Sequence, residues 1–422
     1  MITRLQVKKY RCLRSADQRL RRLNILIGPN ACGKSTFLDA IEFIGDLLRI
    51  GPGGAFAKRS SDSRDMFYCK DGNNFEIAVE VDIPESLRRG SSTEYTIARY
   101  EVKVGELNDA GEIGLLGERL ELRVEPVPRA ETKIGGPALK DEWIEDLNSV
   151  YISQTRGRRN CRTVIHKMDD GKDRLYSEKL ANKGKGWIHA LSLGPQTPAL
   201  RIIPEEQRFP VALWLRDFLQ SRVQRFVLSG HVMQAPSPPG QQKELTQSGS
   251  NLPWVIEKLQ RDDEPQFRAW LQHVKTALPD ICDIHIRELP DNRSRYIAIE
   301  YPGRLIIPSW SVSDGTLRML ALTVLAYLRE KDKLYMIEEP ENGIHPRAVE
   351  PVLESLSSVY DSQVLLATHS PVVLGLVDAK DLLCFRRVDG NTRVTSGENH
   401  PALADWKGEV SLDALFASGI LD

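Results

Sequence analysis

The sequence predicts an α/β fold with a mostly parallel core sheet, and three observations predict it. Near the N-terminus a short apolar run, Leu23 to Ile27, enters Gly28-Pro-Asn-Ala-Cys-Gly-Lys-Ser35, after which Phe37, Leu38, Ala40, Ile41, Ile44, Leu47 and Leu48 recur at helical spacing. Far along the chain, Lys333 to Glu339 and Gln363 to His369 are apolar runs that end in ionisable residues, the pattern of strands buried on both faces. Between these parts lie period-two segments that describe an antiparallel lobe, and a stretch with helical spacing.

In chain order, Ile2, Leu5 and Val7 begin a first strand, and Lys8-Lys9-Tyr10-Arg11 form a basic turn. With Arg19, Arg21 and Arg22 this charge reads as a solvated sheet edge; the alternative places Arg11 near a bound phosphate. The next segment has two glycines separated by four residues, then Lys34 and the hydroxyl of Ser35, the spacing of a phosphate-binding loop. Glycines let the backbone fold back so that its N–H groups face an anion, and the following helix adds the positive end of its dipole. Lys34 would reach the β- and γ-phosphates of a nucleotide, and Ser35 would ligate Mg²⁺.

Gly51-Pro-Gly-Gly54 reads as a break after the first helix. Ile77, Val79, Val81 and Ile83, then Tyr100, Val102 and Val104, then Leu120, Leu122 and Val124 alternate with charged residues, as half-buried strands do. The basic cluster Arg156, Arg158, Arg159 and Arg162 reads as a solvated face, with DNA contact as its alternative. Helical spacing returns from about Pro204 to Leu278, around a Pro/Gln/Ser-rich loop from Gln234 to Gln247. Ser250 or Asn251 is placed to cap the helix that Pro253 opens. Ile284 to Arg287, Tyr296 to Glu300 and Leu305 to Ile307 suggest a strand meander. No internal repeat or heptad array is present, so the middle reads as a compact insertion.

The chemistry-bearing motifs come last. Glu338 and Glu339 end an apolar strand, where one carboxylate can hold Mg²⁺ through water and the other can polarise an attacking water. His369 ends the next strand, from which an imidazole can hydrogen-bond a γ-phosphate. In Trp310-Ser-Val-Ser313-Asp314-Gly315-Thr-Leu-Arg318, Ser313 is an expected N-cap of the apolar helix through Leu328, a second helix start that favours an anion. The chain already has one phosphate loop, so a facing subunit would supply that second phosphate.

Phosphate loop, Ser-x-Gly segment, Glu-Glu strand and His-ending strand, in this order, resemble the ABC-type ATPase heads of the SMC, RecF and OLD (overcoming lysogenisation defect) families, and most of all the prokaryotic RecF/OLD-like AAA family ATPases. The resemblance covers roughly residues 1–50 and 300–422. It implies a P-loop NTPase head with an antiparallel β lobe and a helical insertion, ATP and Mg²⁺ as cofactors, and a homodimer or higher homo-oligomer. Under it, Asn30, Gly33, Lys34, Ser35 and Thr36 bind the nucleotide, Ser35 and Glu338 serve Mg²⁺, Glu339 activates water and His369 is the switch histidine. Ser313 and Gly315 would act on ATP held by the other subunit. The signature here is Val-Ser-Asp-Gly-Thr in place of the transporter-type Leu-Ser-Gly-Gly-Gln. Glu338 replaces the usual aspartate, and His345 stands where many relatives have another aspartate. No Q-loop glutamine is identifiable. Only about fifty residues follow His369, too few for the TOPRIM domain of OLD nucleases.

These readings divide the chain into an ATPase N-terminal part (1–50), a β lobe and insertion (51–200), a mainly helical insertion (201–290) and an ATPase C-terminal part (291–422). The 57 Lys and Arg residues nearly balance 58 Asp and Glu, which argues against a uniformly basic nucleic-acid coat, although local nucleic-acid contact stays open. Six scattered cysteines without a C-x-x-C pair suit a reducing cytoplasm, and no apolar run is long enough to cross a bilayer. The expected activity is ATP hydrolysis by a dimer that drives or gates a separately encoded effector, in DNA repair or defence against phage. The alternative is an ATP-locked scaffold that recruits a partner with little turnover.

Overall fold

A computed structural model describes all residues except 89–94, 109, 125–160, 169–172, 179–186, 205–206, 243, 389, 404–410 and 422. The chain divides into two compact units. The first comprises Met1–Arg21, Ala31–Val223 and Arg386–Val394; the second comprises Arg22–Asn30, Gln224–Phe385 and Thr395–Asp422. Of the basic cluster, Arg156, Arg158 and Arg159 lie outside the described residues, and Arg162 donates from Nε to the Ser177 carbonyl at 2.8 Å.

Strands β1 (Ile2–Tyr10) and β2 (Leu13–Arg19) open the first unit, whereas β3 (Leu23–Ile27) runs in the second. Helix α1 (Lys34–Ala57) also lies in the first, as do strands β4 (Asn74–Asp82), β5 (Ile97–Glu106), β6 (Ile113–Arg123), β7 (Cys161–Met168), β8 (Asp173–Tyr176) and β9 (Trp187–Leu191), which join β1 and β2. They form an eight-stranded sheet in the order β2-β1-β4-β5-β6-β7-β8-β9, antiparallel throughout. Ile77, Val79 and Val81 are fully buried along one face of β4 as expected, but the strands are not half-buried: Glu76, Glu101 and Glu121, on the positions between, are buried as well, Glu101 and Glu121 in ion pairs with Arg99 and Arg123. Tyr10, Phe43, Phe56, Phe67 and Phe75 make a connected aromatic cluster between the sheet and α1.

The expected break is present at Gly51, which separates two helical segments of α1, the second of which runs to Ala57. Gly51 takes a left-handed φ of 78° and ψ of 174°, which lets Pro52 enter as the first residue of a new helical segment without clashing with the preceding turn. Two acidic residues of α1 are buried and paired. Asp39 accepts from Tyr10 Oη at 2.7 Å, from Arg11 at 2.9 Å and from Arg59 at 2.7 Å. Burial opposes ionisation of Asp46, but hydrogen bonds from Arg49 and Lys58 and the Arg59 charge hold it below the usual carboxylate range.

In the second unit, β10 (Val223–Phe226) precedes a three-stranded meander of β11 (Asp283–Glu288), β12 (Arg295–Tyr301) and β13 (Leu305–Pro308), at the positions read from the sequence. Strands β14 (Leu334–Glu338), β15 (Gln363–Ala367) and the first part of β16 (Leu382–Val388) follow in this unit, whereas the end of β16 and most of β17 (Asn391–Ser396) are assigned to the first; the six-stranded sheet has the order β10-β14-β15-β3-β16-β17. Its centre is parallel, as expected: β14 with β15, β15 with β3, and β3 with β16. Helices α2 (Gly230–Gln234), α3 (Leu252–Asp262), α4 (Glu264–Ala277), α5 (Asp314–Val324) and α6 (Pro346–Ser357) contribute to the same core, in which Trp270, Leu320, Tyr335, Ile337, Val352 and Leu366 are all buried.

Four local expectations change. Lys8, Lys9 and Tyr10, read as part of a basic turn, belong to β1, and the turn is Arg11 and Cys12. The four-residue β10 lies inside the stretch read as helical; it is too short for period-two alternation to register. Helix α5 ends at Val324, not at Leu328. Asn251 is the N-cap residue of α3, yet its side chain does not cap it. That amide instead accepts from Thr246 N at 2.8 Å and donates to the Gln242 and Glu244 carbonyls, tying down part of the Pro/Gln/Ser-rich loop.

Candidate functional site

The core sheet gathers several of the expected residues at one edge. Cα partners across its parallel centre are Glu338 with Ala367 and Ala367 with Leu26. The residues that follow these strands therefore leave the sheet side by side, with neighbouring strands about 4.8 Å apart. They are Glu339 after β14, Thr368 and His369 after β15, and Gly28 after Ile27 of β3. Backbone hydrogen bonds extend the register beyond the strands: Glu339 N donates to Ala367 O at 2.8 Å, and Thr368 N to Leu26 O at 3.0 Å. Ligands of open parallel sheets bind at this carboxyl edge.

The loop between β3 and α1 has the backbone that its glycines imply. Gly28 has φ 140°, Ala31 φ 61° and Gly33 φ 105°, all left-handed values. A Cβ on Gly33 would lie 3.1 Å from Cys12 Sγ and from both Thr392 Oγ1 and Cγ2, a tight fit that adds to the strain a side chain would meet at this φ. No side chain caps α1 at Gly33 and no acidic residue stands in its first turn, so the helix start is chemically suited to an anion. Lys34 is half-buried, with Nζ 3.8 Å from Cys32 Sγ, and Ser35 is exposed. Burial pushes the Cys32 thiol above its usual value although the Lys34 charge beside it acts in the other direction. Cys12 Sγ lies 3.3 Å from Thr36 Oγ1. This cradle, with its lysine and hydroxyl residues, fits a Mg²⁺-nucleotide. Arg11, the alternative phosphate contact, is engaged by Asp39.

Glu338 and Glu339 have different surroundings. Glu338 Oε1 accepts from Arg225 Nη2 of β10. Glu339 sits in the left-handed region at φ 47°, an unusual conformation for a side-chain-bearing residue and one that functional sites often retain. Its two carboxylate oxygens lie 3.4 Å from His369 Nδ1 and 3.2 Å from Asn342 Nδ2. Glu339 and His369 are both about half exposed, so the contact does little for stability. Thr368 is fully buried; its hydroxyl donates to Glu341 Oε1 at 2.6 Å and accepts from Ser370 N at 3.0 Å, which fixes the turn that carries His369.

Ser313 is the N-cap of α5, accepting from Thr316 N at 3.2 Å, and is exposed. Gly315 has a reason within the chain: a Cβ there would stand 2.0 Å from the Gly343 carbonyl oxygen, in the loop after the carboxylates. Gly315→Ala is expected to push that loop away and to destabilise the protein by about 1–3 kcal/mol, the usual penalty of overpacking. The denaturation midpoint, measured beside a surface alanine control, tests it; an unchanged midpoint would mean that the loop yields at no cost. His345 caps α6, its Nδ1 accepting from Arg347 N at 3.2 Å, which gives the departure at that position a structural role.

Arg225, Glu341, Asn342 and Thr368 were not legible as site residues. A hydroxyl just before a strand-end histidine was a signal for Thr368; for Arg225 no local signal exists, because its strand was not detectable. Among the described residues no group of three or more His, Cys, Asp or Glu is placed to hold a metal, and no helix is long and apolar enough to cross a membrane.

Comparison with known proteins adds three findings. A family model described as "AAA domain, putative AbiEii toxin, Type IV TA system" matches residues 23–160 and 167–375. An OLD nuclease of Thermus scotoductus (strain ATCC 700910 / SA-01) is 48% identical over 44 residues, which is 10% of this chain and 8% of that protein. A solved SmcHead bound to the C-winged helix domain of ScpA superposes with a TM-score of 0.51 at 15% identity, over 93% of this chain and 97% of that one. The α/β fold is thus that of an SMC head, with parallel and antiparallel sheets.

Proposed function

This chain belongs to that AAA-domain family, and from this premise we propose that it binds Mg²⁺-ATP and hydrolyses it as an ABC-type head of the RecF/OLD-like class. The observation that carries the proposal is the register of β14, β15 and β3, which aligns Glu338, Glu339, His369 and the onset of the glycine loop on one sheet edge. Asn30, Gly33, Lys34 and Thr36 bind the phosphates, with the N–H groups of the α1 start directed at them. Ser35 and Glu338 hold Mg²⁺, Glu338 partly through water. The ion, when bound, neutralises phosphate charge and polarises the γ-phosphoryl group. Glu339 takes the proton of the attacking water, and Asn342 and His369 orient its carboxylate.

Ser313 and Gly315 act in a second copy of the chain: the exposed cap and start of α5 meet the nucleotide held by the partner's phosphate loop. Closure of a homodimer around two nucleotides then drives or gates a separately encoded effector, in the cytoplasm, in DNA repair or defence against phage. Direct contact with nucleic acid is compatible with this reading. The OLD nuclease relative supports the DNA-related context over the short matched segment alone. A scaffold that keeps ATP bound with little turnover is the second reading; the Arg225 contact to Glu338 favours it to the extent that it slows metal entry.

Phosphate release and complementation between two inactive variants test the proposal. Ser313→Arg should retain ATP on its own phosphate loop and lose hydrolysis, because the bulky cation blocks approach of the partner. Mixed with Lys34→Ala, it should regain activity, through sites made of its own intact phosphate loop and the intact signature of the Lys34→Ala chain. An equal mixture of dimers carries about a quarter of the wild-type sites. Full activity of Ser313→Arg alone would sink the trans arrangement, and a wild-type protein that retains ATP without releasing phosphate would favour the scaffold.

A further inference from the structure

Arg225 is positioned by the sheet. Phe226, its neighbour on β10, is buried and packs on Tyr335 of β14 with ring centroids 5.7 Å apart. Side chains alternate along both strands, so Arg225 and Glu338 share the opposite face. There Arg225 Nη2 donates to Glu338 Oε1, with the two side chains 21% and 26% exposed.

We propose that Arg225 is a resident counter-ion for Glu338, a positioning residue that occupies the carboxylate before Mg²⁺ does and must be displaced for the metal to enter. The inference rests on the reading of Glu338 as the metal carboxylate. With the guanidinium on Oε1, a divalent cation must share the one negative charge of this carboxylate, and two cations held together there would repel each other. Arg225 therefore weakens binding of the bare ion, and Glu338 changes partner when Mg²⁺ arrives with the triphosphate, whose negative charge offsets the loss. Metal and nucleotide enter together, and a strand-end carboxylate is never left without a cation. A purely structural ion pair at this exposure would leave the metal requirement unchanged.

Binding of a fluorescent ATP analogue, titrated with Mg²⁺ and read by anisotropy, tests the inference without recourse to turnover. For Arg225→Ala the Mg²⁺ concentration at half-maximal binding should fall about threefold, the ratio that corresponds to loss of one partly exposed ion pair. Arg225→Lys, which keeps a cation there, should stay near wild type. Glu338→Gln separates the two levels: it should raise the midpoint. If it does and Arg225→Ala leaves the midpoint unchanged or raises it, the counter-ion inference is overturned while the metal reading stands. If Glu338→Gln leaves the midpoint untouched, the metal reading fails and takes the inference with it. Should Arg225→Ala not fold by circular dichroism, Arg225→Gln removes the charge with the amide still able to donate, and the same shift decides.

Discussion

Lys34→Ala is expected to lower ATP affinity by about two to three orders of magnitude, through loss of charge-assisted hydrogen bonds to two phosphates. Lys34 is the first residue of α1, after a glycine held left-handed between Cys12 and Thr392. The backbone cradle is therefore set by Gly28, Ala31 and Gly33 and does not depend on the lysine side chain. Alanine is the better helix former at that position, so the fold should persist, and circular dichroism would show it. What disappears is the ammonium charge, and the neighbouring Cys32 has no cationic form with which to replace it. Equilibrium binding of a labelled ATP analogue is the measurement. Unchanged affinity in a folded variant would remove the phosphate-loop assignment.

The parts of the site that the sequence disclosed are those in which chemistry and local structure coincide in a short window. Gly28 to Ser35 carries its own strand, turn and helix signals, and β3 spans the predicted Leu23–Ile27. The strands ending at Glu338 and Ala367 are apolar enough to be read as buried, and Ser313 caps α5 as its type and position suggest. The AAA-domain family match bears out the resemblance drawn from these motifs.

What stayed hidden depends on contacts between distant segments. Arg225 lies 113 residues before Glu338, on a four-residue strand without a usable period. The Thr368–Glu341 hydrogen bond spans 27 residues and joins two turns, neither of which has a pattern of its own. Gly315 reads as part of a signature, but its steric cause, the Gly343 carbonyl, emerges only when α5 is packed against the loop. The break at Gly51 was legible, because a glycine–proline pair punctuates a helix; what stayed hidden is that Pro52 opens a second helical segment directly after it.

Glu339→Gln is expected to keep ATP binding and to slow hydrolysis by about 10²–10⁴-fold, the range that a positioned general base contributes. The substitution is close to isosteric, so its effect isolates basicity. Glutamine has the same backbone tolerance at φ 47°, and the main-chain bonds that hold the turn, Glu339 N to Ala367 O and Asn342 N to Glu339 O, do not involve the side chain. Its amide oxygen can still accept from Asn342, but it cannot take a proton from water. With chemistry slowed and binding intact, the nucleotide-closed dimer should accumulate, and sedimentation in ATP would detect it beside a phosphate-release assay. Glu338 is not equivalent to Glu339: it ends the strand itself and holds Arg225, whereas Glu339 stands one residue beyond, against His369 and Asn342. A Glu339→Gln protein that released phosphate at the wild-type rate would assign the base elsewhere, with Glu338 next to be tested. Binding lost together with turnover would instead make Glu339 part of the nucleotide-holding shell.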